Sequence, residues 1–201
     1  HLFLAKLPDA PAGPRGISLF LVPKMLDENS ELTGERNGVR CGSIEHKMGI
    51  KASPTCVMNF DEATGYLVGE LNNGLSHMFT MMNYERLSMG LQANGLADSA
   101  YQVAAAYAKD RVQGRAPSGP QQPEASADPL LVHPDVRRLL LTIRANILAG
   151  RSLSIFAAMQ LDISRFHPDA AARTRADKLV SLLIPVQKAY CTDRGFDACV
   201  M

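Results

Sequence analysis

The stretch MNYERLSMGLQANGLADSAYQVAAAYAKDRVQGR, from Met82 to Arg115, contains no proline and repeats Leu87, Leu91, Gly95, Leu96, Ala100, Val103, Ala104 and Tyr107 in steps of three and four. Steps of that size gather side chains onto one stripe of an α-helix, and Gly114 with Pro117 supplies a stop signal. The pattern predicts one helix of about 34 residues, a rod about 50 Å long at about 1.5 Å per residue. Helices that long gain stability from neighbours packed along their length, which predicts a bundle.

The rest of the chain supplies those neighbours. Asp135 opens a second helix with Val136, Leu139, Leu140, Ile143 and Ile147 along its stripe, continuing through Leu153 and Phe156 toward Leu161. Phe166-His167-Pro168-Asp169 turns the chain into a third, predicted to face Leu179, Leu182, Leu183, Val186, Ala189 and Tyr190 inward and to kink at Pro185. Three long antiparallel helices leave one side of a bundle uncovered, so a fourth helix or a partner subunit is expected there. Between the first two helices, Ala116 to Ser126 is rich in Pro, Gly, Ser and Gln, which predicts a mobile surface loop over residues 115–130.

Upstream the period changes. Leu2 to Lys6, Ile17 to Val22, Val39 to His46 and Thr55 to Asp61 are β-prone runs, separated by Pro8 to Pro11, Asn37-Gly38 and Ser53-Pro54. The short Tyr66-Leu67-Val68 run follows, with Asn72 or Asn73 as a cap before Gly74. The expected fold class is α+β: a partial antiparallel β-domain over residues 1–71, then long antiparallel helices of an incomplete four-helix bundle over residues 72–201.

Composition narrows the function classes. Twenty-one Lys and Arg against 20 Asp and Glu, a formal net charge of +1, give no general pull toward nucleic acid or anionic lipid. Cys41, Cys56, Cys191 and Cys199 form no C-x-x-C pair and have no His at zinc-ligand spacing, so buried, inert thiols in a reducing compartment are expected. His46 and His133 likewise lack a second ligand at metal spacing. No apolar run approaches the ~18 residues of a membrane span, and a cytoplasmic location is expected. The chain starts without Met inside a strand-like run and stops within a helical pattern, which reads as a piece of a longer protein.

The first long helix carries polar residues at both ends. Asn83 and Arg86 are three apart and share a face, and Gly90 one turn on is expected to leave that face open to a flat or bulky ligand. Arg111 and Gln113 sit at the other end. A phosphate held against the partial negative charge of a helix C-terminus needs a forked cationic donor such as Arg. By spacing alone, the alternatives are a solvated, dipole-complementing Arg and an Asn that caps or lies on the surface. Met78, Met81, Met82 and Met89 serve either as adaptable packing or as the lining of an acyl-chain tunnel.

Glu85-Arg86, Gly90, Gly95, Ala97, Asp110-Arg111 and Gln113 follow the order E-R, G-x-x-x-x-G-x-A, then [ED]-R-x-[QT]. Before them come His46 to Thr55 with its K-x-G-x-x-x-S-x-T spacing, Val57 to Asp61, Leu67 to Glu70 and Asn73 to Leu75. This ordered set resembles the middle domain and first C-terminal helix of the acyl-CoA dehydrogenase flavoenzymes. His133 to Arg138, with Asp169 to Met201, is similar to the 3-methylmercaptopropionyl-CoA dehydrogenase-like branch.

The resemblance implies an FAD enzyme that removes two hydrogens from an acyl-CoA thioester to give a trans-2-enoyl-CoA, with a carboxylate taking the α-proton. In most of the family that base lies in a motif downstream of Met201; in the isovaleryl and long-chain members it sits at the position that Glu85 matches. Glu85 is therefore the one candidate base in this chain, its alternative being an ordinary helical glutamate. The resemblance further implies that Asn83 and Arg86 contact the CoA ligand and that Arg111 and Gln113 reach the FAD phosphates of a neighbouring subunit. It also implies a homodimer or homotetramer and an electron-transfer flavoprotein as acceptor. His133 matches a place near the adenosine side of FAD, but Pro134 stands after it where the pattern has an amide side chain. A non-catalytic helical-bundle module that binds partners or acyl-CoA is the alternative function on the same fold.

Overall fold

The computed structural model describes residues 1–26 and 34–201. The architecture is α+β, in two compact units, His1–Met81 and Met82–Met201.

In the first unit, β1 (Leu2–Lys6), β2 (Ile17–Leu21) and β5 (Tyr66–Val68) form an antiparallel sheet in the order β1-β2-β5, with Leu2 opposite Leu21 and Leu19 opposite Val68. A separate antiparallel pair, β3 (Val39–Ile44) and β4 (Cys56–Phe60), shifts register between Cys41 and Ser43. Leu19, Val22 and Val39 are buried. Asn37-Gly38 does more than turn the chain. The buried Asn37 amide donates to the carbonyls of Pro23 (2.8 Å) and Thr64 (2.9 Å), and its oxygen accepts from the Thr64 N–H (2.9 Å). Three strand ends are thereby tied with nearly every polar atom of that side chain satisfied.

Helix α1 spans Gly74–Asp110. Its start is fixed beneath β2: the Asn72 N–H donates to Ser18 Oγ (2.8 Å), and a Cβ on Gly74 would lie 2.3 Å from the Ser18 carbonyl carbon. The helix thus begins eight residues before Met82 and ends before Arg111. Arg111 and Gln113 lie outside it because their backbone pairs across the connecting loop: Leu130 N–H donates to the Arg111 carbonyl (2.8 Å) and Gln113 N–H to that of Asp128 (2.9 Å).

In the second unit, α1 from residue 82 joins α2 (Pro134–Phe166) and α3 (Ala170–Val200). Pro134 occupies the first turn of α2, where its missing N–H costs nothing. Asp169 caps α3, its carboxylate accepting from Ala171 N–H (2.9 Å) and Ala172 N–H (3.2 Å). These bonds, that of Ala171 foremost, hold its carboxyl below the ordinary value against the cost of desolvation, with the nearby Arg175 charge assisting. Helix α3 continues through Pro185.

The inward faces differ from those expected on α1 and α3. On α3 the buried residues are Ala176, Val180, Ile184, Gln187, Cys191, Gly195 and Ala198, while Leu179, Leu182, Val186 and Ala189 are exposed. On α1 Leu91, Leu96, Val103 and Tyr107 are exposed, and Leu87, Gly90, Asn94, Ala97 and Ala108 are buried. Small side chains explain the choice, because they let helix backbones approach closely and their larger neighbours would not fit. A Cβ on Gly195 would lie 2.9 Å from the Ala93 carbonyl oxygen, and one on Gly150 2.6 Å from Asn94 Oδ1. Two clusters fill the interior: Leu87, Ala157, Leu161, Val180 and Ile184, and Ala97, Ile143, Ile147 and Ala198.

Helix α2 is apolar on more than one side, and contrary to the expectation above it is long and apolar enough to cross a membrane, with a window of mean hydropathy 1.3. Its buried stripe, Leu140, Ile143, Ile147, Ala157 and Leu161, is packed into the bundle interior. The cysteines also depart from expectation. Only Cys191 is buried; Cys41 and Cys199 are exposed and Cys56 is half-buried.

Candidate functional site

The sequence-derived residues form two groups, one on α1 and one just beyond its C-terminal end, separated by about 36 Å of helical rise from Arg86 to Asp110. At the first, Asn83 and Arg86 are half-buried and share a face, while Glu85 points outward and is exposed. The guanidinium of Arg165, from α2, covers the neighbouring Tyr84 ring at 4.6 Å, so cationic charge from two helices gathers at this end of the bundle.

The open face predicted at Gly90 is closed. Gly90 is buried, and a Cβ there would lie 2.3 Å from Nε2 of Gln187. The Gln187 amide fills the space, donating to Ser154 Oγ (2.8 Å), while Ser154 donates to the Gly150 carbonyl (2.8 Å). Cys191 Sγ lies 3.8 Å from Ser154 Oγ, and burial pushes this thiol up from its ordinary value, the Ser154 contact partly offsetting. Gln187 Oε1 has no hydrogen-bond partner among the described residues. Gly90 therefore serves helix packing, and no ligand cleft opens beside Asn83 and Arg86 at that position.

At the second group, Arg111 and Gln113 present exposed side chains from a backbone that is fully engaged. The Gln113 carbonyl is also 2.8 Å from His133 Nε2, which ties that ring to the segment. The residue that organises this end is one the sequence pattern missed. Asp128 is buried, and its carboxylate accepts from the N–H groups of Ala116 (3.0 Å), Gln121 (3.0 Å) and Gln122 (2.8 Å). The Ala116 bond is the largest influence holding its carboxyl below the ordinary carboxylate value. Desolvation opposes it, and the Gln122 and Gln121 bonds and the Arg115 charge assist. Arg115 further donates to the carbonyls of Gln122 (2.9 Å) and Ala125. The segment expected as a mobile loop thus has a polar core. A lone Asp-Pro step in a Ser-, Gln- and Pro-rich stretch was the one available signal for it.

This arrangement presents a forked cation and an amide on a fixed platform, which suits a polyanion such as a diphosphate approaching from outside the unit. The opposite end offers a cation and an amide on a half-buried helix face. Among the described residues no group of three His, Cys, Asp or Glu is placed to hold a metal ion.

Residues 72–199 match the family model for the acyl-CoA dehydrogenase C-terminal domain. The chain is 47% identical, over 98% of its own length and 33% of the relative's, to the 3-methylmercaptopropionyl-CoA dehydrogenase of Ruegeria pomeroyi. It is 36% identical, with coverage of 98% and 33%, to the broad-specificity linear acyl-CoA dehydrogenase FadE5 of Mycobacterium tuberculosis. The chain therefore spans about a third of the length of these relatives. Among solved structures, Caenorhabditis elegans ACDH-11 in complex with C11-CoA shares the fold with a TM-score of 0.77 at 21% identity, over 98% of this chain and 32% of that one.

Proposed function

Since the chain belongs to the acyl-CoA dehydrogenase family, we propose that its full-length protein is an FAD-dependent enzyme. Its reaction is the α,β-dehydrogenation of an acyl-CoA thioester to the trans-2-enoyl-CoA. The observation that supports this most is the 47% identity along 98% of the chain, a span that takes in the polar group on α1 and the one just past its end. FAD, when bound, supplies the hydride acceptor. Arg111 and Gln113 are the residues here that would hold its phosphates, from a neighbouring subunit of a homodimer or homotetramer. Asn83 and Arg86 would orient the CoA thioester, converting an encounter into a positioned reaction.

Glu85 is the one carboxylate here that matches a base position. It is exposed, on the outer side of α1, and is not enclosed beside another group of this chain as a positioned base would be. The base is proposed to come from outside this chain, and the isolated 201 residues are proposed to be inactive. A cytoplasmic location and electron-transfer flavoprotein as the electron acceptor complete the reading.

The full-length protein should purify yellow and bleach when a suitable acyl-CoA is added anaerobically; a colourless protein that gains no flavin absorbance on adding FAD would overturn the proposal. Arg111→Ala should weaken FAD retention about tenfold or more, the scale of a charge-assisted hydrogen bond. Glu85→Gln should keep turnover within a few fold, and loss of turnover with acyl-CoA binding intact would assign it as the base.

A further inference from the structure

The two residues assigned to the flavin phosphates leave from a short antiparallel ladder rather than from a helix. Leu130 N–H donates to the Arg111 carbonyl (2.8 Å), Gln113 N–H to that of Asp128 (2.9 Å) and Asp128 N–H to that of Gly114 (2.9 Å), with Val112 opposite Pro129. Arg111 and Gln113 are two apart on this ladder, the spacing that sends two side chains to the same side. A two-stranded ladder this short has little stability of its own, and the Asp128 side chain supplies what it lacks. Its carboxylate accepts from the N–H groups of Ala116 (3.0 Å), Gln121 (3.0 Å) and Gln122 (2.8 Å), which folds residues 116–122 back onto the end of the ladder.

The Asp128 carboxylate is fully buried, so it reaches no ligand itself. A bare anion beneath a phosphate site would repel the phosphate, and Arg115 offsets that repulsion. The Arg115 guanidinium lies 3.5 Å from Asp128 Oδ1 and donates to the carbonyls of Gln122 (2.9 Å) and Ala125. Those bonds occupy Arg115, whereas Arg111 forms no ion pair among the described residues. Of the two arginines at this end, Arg111 is the cation left for a ligand and Arg115 the one that neutralises the anchor.

We propose that Asp128 is a positioning residue for FAD, acting through Arg111 and Gln113. It holds their backbone in the phosphate-binding arrangement before the flavin arrives, so that less ordering opposes binding. This inference rests on the assignment of those two residues to the flavin phosphates.

The full-length protein is stripped of flavin, and its affinity for added FAD is read from the quenching of flavin fluorescence. Asp128→Ala should weaken FAD binding about tenfold, the scale of ordering two side chains on association, while the flavin-loaded variant binds acyl-CoA as the wild type does. In a background of Arg111→Ala with Gln113→Ala, adding Asp128→Ala should change FAD affinity less than about twofold, because the side chains it acts through are gone. Unchanged FAD affinity in Asp128→Ala, an equal loss of acyl-CoA affinity, or an undiminished loss in that background would overturn the proposal. If Arg111→Ala itself leaves FAD affinity unchanged, the phosphate assignment falls and this inference with it; a normal loss in Arg111→Ala beside none in Asp128→Ala refutes this inference alone. Hydrogen exchange on the wild type needs no variant to fold. The N–H groups of Ala116, Gln121 and Gln122 should be protected in the flavin-free protein, and exchange there at open-loop rates would overturn the preorganisation.

Discussion

Gly90 and Gly95 lie on the same helix, and the same substitution should move stability in opposite directions at the two. At Gly90 a methyl group would collide with the buried Gln187 amide at 2.3 Å, whereas at Gly95 it would meet no described residue within 4 Å. Gly90→Ala is expected to cost about 1–3 kcal/mol through overpacking, and Gly95→Ala to add about 0.5–1 kcal/mol by removing a flexible residue from a helix interior. Urea titrations of the two variants decide it; equal effects would refute the packing role assigned to Gly90. Asp128 supplies a pH test. Its carboxyl is held below its unfolded value near 3.8, so its contribution is fully present above that pH and is lost as pH falls through the lower folded value. Asp128→Asn should flatten the acid limb of the stability profile below about pH 4, and an unchanged limb would count against the buried carboxylate.

At the level of elements, Ile184 and Leu182 are two residues apart on α3 with opposite surroundings, one fully buried and the other 63% exposed. Ile184→Ala should cost about 2–5 kcal/mol and Leu182→Ala no more than about 0.5 kcal/mol by chemical denaturation. The contrast marks where the sequence was legible and where it was not. Strand positions, helix count and the apolar stripe of α2 followed from period and turn residues, because these are local. Which face of α1 and α3 turns inward did not follow, since both helices are apolar on two sides and size decided between them. Gly150, Gly195 and Ala97 admit close approach, and Leu182, Leu96 and Val103 do not. The end of α1 was missed for a related reason. The pairing of Arg111 with Leu130 is non-local, and the helical period alone would have carried on to Arg115. Of the site, the Arg111 and Gln113 platform was visible as residue types, but the Asp128 anchor beneath it depends on three backbone donors that no spacing encodes.

For the whole molecule, the outer faces of the helical unit remain rich in large apolar side chains, among them Leu96, Val103 and Tyr107 of α1, Leu141, Leu148 and Ile155 of α2 and Leu182, Val186 and Phe196 of α3. Stripes of this kind are covered in stable proteins. The 201-residue chain alone should self-associate with rising concentration and bind hydrophobic dyes; sedimentation as a single monomeric species across a wide concentration range would show these faces to be tolerated in water. The Asp128 loop has another consequence, for chain length. Its two ends are pinned by the pairing of Val112 with Pro129, and no described residue contacts the Cβ position of Gly119. Because the entropy of a closed loop grows only with the logarithm of its length, doubling it costs about 0.6 kcal/mol. A short flexible tag inserted after Ser118 should therefore leave the unfolding midpoint almost unchanged. The same tag between Gln121 and Gln122 would separate two of the donors that Asp128 holds, making this connector a site for attaching a reporter and a measure of how far the anchor reaches.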